Sequence, residues 1–187
     1  MAKIENIERI LVVEDTEMHI EAAREQLRDY KLTIASDYRK FLEQLLGTCI
    51  VKMIAGYPDR IELAPGFPKS SSYDVVLTDM NLPEKQGGSE NTLGYVAAMM
   101  CAAARVPLIG IVSATNHHKG PLAEGLAKLE YSESKGVFQV GDTRIMYFDD
   151  DAFGTRNEPK RWDKALECLS AGRNVYKFDP WSQVGKS

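Results

Sequence analysis

Residues 74–83 read Asp74-Val75-Val76-Leu77-Thr78-Asp79-Met80-Asn81-Leu82-Pro83, a short apolar run that stops at an aspartate. Consecutive apolar residues without polar alternation fit a strand buried on both faces, as in a parallel sheet. The pattern recurs on either side. Upstream, Ile10-Leu11-Val12-Val13 follows Arg9 and ends abruptly at Glu14-Asp15; downstream, Leu108-Ile109-Gly110-Ile111-Val112 ends in Ser113-Ala114-Thr115. The segments between them carry helical spacing. Thr16 suits a helix N-cap with His19 at the capping-box position, and Met18, Ala22, Ala23 and Leu27 recur at helical intervals up to Tyr30. Leu32 to Ala35 can form a second strand, Tyr38, Phe41, Leu42, Leu45 and Leu46 a second helix stopping near Gly47, and Leu93 to Ala104 an alanine-rich third. Strands and helices alternating at these lengths predict a doubly wound α/β domain with a parallel sheet.

Three stretches interrupt that plan. Val51 to Ser72 holds Pro58, Pro65, Gly66, Pro68 and a run of serines, which suits an exposed loop. Glu84 to Thr92, with Gly87 and Gly88, lengthens the loop after Asp79. Lys119 to Thr143 leads into a candidate hairpin, in which Val137 to Val140 and Arg144 to Tyr147 flank Gly141-Asp142.

The chain has 187 residues and a formal net charge of −4, with 44% hydrophobic and 27% charged residues. That length fits one domain over 1–187, with residues 179–187 as a flexible tail. A pI near 5.5 argues against a nucleic-acid partner bound by phosphate neutralisation. Cys49, Cys101 and Cys168 are odd in number and far apart, which gives neither a disulfide framework nor a zinc pattern. No segment approaches the ~18 apolar residues of a membrane span and the N-terminus lacks an apolar h-region, so a cytoplasmic protein is expected. Met99-Met100-Cys101 reads as helix core, and Gly87-Gly88 as loop rather than a nucleotide fingerprint. His117-His118 lacks the companions of a zinc site.

Glu14 and Asp15 end one strand and Asp79 another, and the carboxyl ends of parallel strands share the edge where ligands bind. Three carboxylates converging there repel one another, and a hard divalent cation such as Mg2+ relieves that repulsion. Ser113 and Thr115 put small hydroxyls beside the same edge.

From Arg9 to about Thr115 the sequence resembles the receiver domain of two-component response regulators. The resemblance rests on Ile10-Leu11-Val12-Val13-Glu14-Asp15, on the 74–83 segment and on Ile109-Gly110-Ile111-Val112-Ser113-Ala114. It implies a flavodoxin-like fold of five parallel strands, here with loop insertions and an extra hairpin. By position it implies that Asp79 accepts a phosphoryl group from a histidine kinase or histidine phosphotransfer protein. Mg2+ would be held by Glu14, Asp15, Asp79 and the Asn81 carbonyl. Ser113 would be the switch hydroxyl, and Pro83 would shape the loop after the acceptor.

The family also has a lysine at the end of its fifth strand, whose ammonium pairs with phosphoryl oxygens. Two assignments of that strand are open. With Arg144 to Phe148 as the strand, Asp149-Asp150 stands where the lysine belongs, and Pro159 to Leu169 forms the last helix with Trp162, Ala165, Leu166 and Leu169 facing the sheet. With Asn174 to Phe178 as the strand, Lys177 is the lysine, but only nine residues follow Phe178. Helix amphipathicity and chain length favour the first. The leading functional expectation is a stand-alone receiver that signals through protein contacts, because no output segment follows. The alternative is a receiver-like interaction module that never takes phosphate. A phosphatase of the aspartate-nucleophile kind ranks third, because the acid two residues after the nucleophile is missing. Trp181 in the tail either packs on the body or joins a homodimer contact.

Overall fold

The computed structural model describes residues 6–47, 50–53, 61–63, 71–113, 137–148, 153–154 and 157–173, with backbone alone for 50–53, 61–63 and 90. Six strands form one sheet in the order β2-β1-β5-β8-β10-β9. These are β1 (Arg9–Val13), β2 (Lys31–Ala35), β5 (Val75–Thr78), β8 (Leu108–Val112), β9 (Val137–Val140) and β10 (Thr143–Phe148). The first five in spatial order pair in parallel, and β9 closes the edge antiparallel to β10. Reading only the parallel strands, the order is that of flavodoxin-like doubly wound sheets.

The fifth strand is therefore the 144–148 segment, and the expected hairpin turns at Gly141, whose φ of +59° a residue with a Cβ would resist. Lys177, Trp181 and the 179–187 tail lie outside the described residues, as do Cys49, Thr115, His117, His118, Asp149 and Asp150. Four helices cover the sheet among the described residues: α1 (Glu17–Gln26), α2 (Tyr38–Leu46), α3 (Leu93–Ala103) and α4 (Trp162–Ala171). Alternate strand residues point to opposite faces. Leu11, Val13, Val76 and Ile109 accordingly pack with Phe41, Leu42, Ala97 and Cys101 from α2 and α3. Ile10, Val12, Leu77 and Phe148 pack with Ala23 of α1, with Leu27 just after it, and with Trp162 and Leu166 of α4.

Several sequence expectations are corrected. Within 51–72, where an exposed loop was expected, β3 (Ile50–Met53) pairs antiparallel with β4 (Ile61–Leu63). The long loop after Asp79 is likewise pinned by a short pair, β6 (Leu82–Pro83) with β7 (Glu90–Asn91). Thr16 takes an extended N-cap conformation, but its side chain makes no cap bond, and His19 turns inward instead of back to the cap. α4 starts at Trp162 rather than Pro159, since the Lys160 backbone is bonded to α1. In contrast, α2 has a side-chain cap, with the Asp37 carboxylate accepting from the Lys40 amide at 2.8 Å. Cys101 and Cys168 are buried thiols with no disulfide. Among the described residues, no helix is long and apolar enough to cross a membrane.

Candidate functional site

The carboxyl ends of β1 and β5 are locked side by side before any side chain contributes. The Asp79 amide donates to the Val13 carbonyl at 2.8 Å, and the Glu14 amide to the Ala35 carbonyl at 3.0 Å. Carboxylate oxygens of Glu14, Asp15 and Asp79 consequently come within 4.8 Å of one another. Ser113 follows β8 on the same edge, buried, its amide donating to the Phe148 carbonyl at 2.8 Å. The parallel register sets Thr78 against Ile111, so Ser113 lies one step beyond the level of Asp79. Asn81 is half-buried in the loop after Asp79, and Pro83 sits in β6.

The loop after Asp79 is held from behind by α3. Gly94 donates its amide to the Met80 carbonyl at 2.9 Å. A Cβ on Gly94 would fall 2.1 Å from the Asp79 carbonyl oxygen and 2.7 Å from the Met80 Cα, so only glycine permits this approach.

The sequence reading missed the cation of the site. Among the described residues it is Lys160, whereas Lys177 lies outside them. Its side chain is 1% exposed, and its ammonium lies 2.6 Å from Glu14 Oε2 and 2.7 Å from Asp79 Oδ1. Glu14 is wholly buried, and its other oxygen, Oε1, accepts from the amides of Asp15 at 3.1 Å and Thr16 at 3.0 Å. Asp79 Oδ1 also accepts from the Met80 amide at 2.7 Å. A lysine just before an amphipathic helix was visible in the sequence. Its only further signal was that three converging carboxylates call for a cation.

Burial pushes the Asp79 carboxyl above the ordinary carboxylate range, with Lys160 opposing and Glu14 adding to the rise. Burial alone would lower Lys160, but the Glu14 and Asp79 carboxylates outweigh it and raise the ammonium. The lysine therefore stays charged. Behind it stands His19, 4% exposed. Its Nδ1 accepts from the Lys160 amide at 3.2 Å, and its carbonyl accepts from Trp162 Nε1 at 2.9 Å. Burial, then the Lys160 charge, lowers His19 from 6.5 to about 4. It is neutral at physiological pH, with the proton on Nε2 assigned from this bonding pattern.

With all four groups ionised, three carboxylates face one ammonium and the site keeps two negative charges in excess. Hard oxygen donors with residual negative charge fit Mg2+.

No protein-family model and no curated protein matches this sequence. Among solved structures the likeness is to response-regulator receiver domains. The chain is similar to the non-phosphorylated HemR receiver domain of Leptospira biflexa at 16% identity and a TM-score of 0.45, over 92% of this chain and 98% of that one. It is similar to the response regulator TrrA of Thermotoga maritima, solved with Mg2+ and BeF, at 18% identity and a TM-score of 0.45, over 89% and 99%. For the chemotaxis protein CheY4 of Vibrio cholerae the values are 16% and 0.39, over 78% and 88%.

Proposed function

We propose that this protein is a receiver that accepts a phosphoryl group on Asp79 in a Mg2+-dependent reaction and signals through protein contacts. The observation that carries this reading is the buried Lys160 ammonium, 2.7 Å from Asp79 Oδ1 and anchored on Glu14. A fixed cation beside an acidic cluster is what transfer to a carboxylate requires, since charge accumulates on the phosphoryl oxygens as the group arrives.

In this reading an Asp79 oxygen attacks phosphorus in line. The new O–P bond forms as the bond to the donor breaks, and the donor leaves with its electron pair. Glu14, Asp15, Asp79 and the Asn81 carbonyl would hold Mg2+, which neutralises charge on the phosphoryl oxygens when bound. Glu14 already spends both oxygens on hydrogen bonds, so its part there is chiefly charge. Lys160 pairs with a phosphoryl oxygen, and the Ser113 hydroxyl donates to another. The donor class is a histidine kinase or histidine phosphotransfer protein, and the setting is the cytoplasm. The non-phosphorylated alternative drew its support from acid in place of the lysine, and the Lys160 ammonium beside Asp79 favours the phosphoacceptor reading over it.

Intact-protein mass after incubation with acetyl phosphate and Mg2+ tests the reading. The expected result is a gain of about 80 Da, one phosphoryl group, that is lost in Asp79→Asn and without Mg2+. No gain in the wild type, with Mg2+ binding shown separately, would return the chain to the interaction-module reading.

A further inference from the structure

Lys160 reaches the acidic cluster by an indirect route. Eleven residues separate it from Phe148, the last residue of β10, and it precedes the first turn of α4. Neither strand ladder nor helix bonds fix its backbone. α1 does. The Lys160 amide donates to His19 Nδ1 at 3.2 Å, and the Lys160 carbonyl accepts from Gln26 Nε2 at 3.0 Å. Gln26 Oε1 in turn accepts from the Asp163 amide at 3.2 Å, so one carboxamide grips the chain on both sides of Arg161-Trp162. Trp162 Nε1 donates to the His19 carbonyl at 2.9 Å. The segment also closes on itself: the Arg161 amide donates to the Phe153 carbonyl at 2.9 Å. At Gly154, with φ +106°, a Cβ would stand 2.7 Å from the Pro159 carbonyl oxygen.

We infer that Gln26 and His19 are positioning residues, which hold the Lys160 ammonium at the cluster from α1 instead of from the strand that precedes it. Both residues belong to the helix that begins directly after Glu14-Asp15-Thr16. A single continuous stretch, 14–26, therefore supplies two of the carboxylates and the clasp for their counter-charge. The importance of this clasp for phosphoryl transfer rests on the function proposed above, whereas its effect on the ammonium does not.

Two readouts separate those claims. The first is the rate of reductive methylation of Lys160 by formaldehyde and a borane reductant, followed by peptide mapping, with exposed Lys31 in the same chain as reference. In the wild type, Lys160 should react about tenfold or more slowly than Lys31, because reaction needs local opening. Gln26→Leu and His19→Leu should bring the two rates within about threefold. His19→Asn, whose amide oxygen can replace Nδ1 as acceptor, should keep the wild-type protection. All are compared at a temperature where the sheet amides stay protected. Gln26 is only half-buried, so its variant carries the test if His19→Leu does not fold. The second readout is the acetyl phosphate labelling rate. Both leucine variants should slow it by about 10²-fold, as a displacement near 1 Å does, and His19→Asn should restore it. Lys160 as protected in both leucine variants as in the wild type would overturn the inference, showing that Glu14 and Asp79 hold it unaided. No labelling of the wild type would instead overturn the proposed function, and the methylation result would still decide the clasp.

Discussion

At the scale of single residues, the decisive fact is one ammonium shared by two carboxylates in a buried place. Removing one partner of such an arrangement leaves an uncompensated charge, which costs about 3–5 kcal/mol. Lys160→Met should therefore lower stability by that order in metal-free buffer. Asp79, already raised by burial and held down by Lys160, should rise further. The same variant should also gain more from Mg2+ than the wild type does, because no fixed cation then competes for the carboxylates. Thermal melts over a Mg2+ titration check both. A smaller Mg2+ gain in Lys160→Met than in the wild type would show that the lysine does not face the metal position. Lys160→Arg is not a safe substitute, because a planar guanidinium cannot place one point charge between Glu14 Oε2 and Asp79 Oδ1.

The secondary-structure elements act as brackets for these side chains. Gly94 at the start of α3 and Gly110 in β8 both lack room for a methyl group, but they meet different neighbours. A Cβ at Gly94 meets the backbone of Asp79 and Met80, whereas one at Gly110 meets the side-chain ends of Leu77 and Leu169. Methyl tips can swing aside and backbone cannot, so Gly94→Ala should cost at least about 1–3 kcal/mol and displace the Asp79 loop. Gly110→Ala should cost less and leave labelling near wild type. Melts and labelling rates of the two variants, run side by side, test the contrast; equal labelling in both would mean that α3 does not set the Asp79 loop. The acid-ended strands were legible because Ile10–Val13 and Val75–Thr78 are local apolar runs whose last residue is followed by a carboxylate. Lys160 was not, since its burial depends on hydrogen bonds to residues 134 and 141 positions away. The β3–β4 pair escaped for another reason. Its strands are only four and three residues long, too short for alternation to stand out among prolines.

For the molecule as a whole, the buried site ties folding stability to pH in two opposing ways. His19 has a folded value of about 4 against an ordinary 6.5. Between those values the unfolded chain binds more protons, so the His19 contribution is complete above pH 6.5 and is lost as pH falls towards 4. Its full size is about 3 kcal/mol. Asp79 runs the other way: its folded value is raised, so the folded state binds the extra proton and stability declines as pH rises through that range. Only a difference isolates His19. Urea unfolding of the wild type and of His19→Asn from pH 7.5 to 4.5 should show a flatter acid limb in the variant, and parallel limbs would mean that His19 does not titrate with folding. The network lies where α1 and α4 cover one face of the sheet, with the cluster at the sheet's edge. Because the Lys160 ammonium is anchored from α1, it reaches the carboxylates without standing at the end of β10.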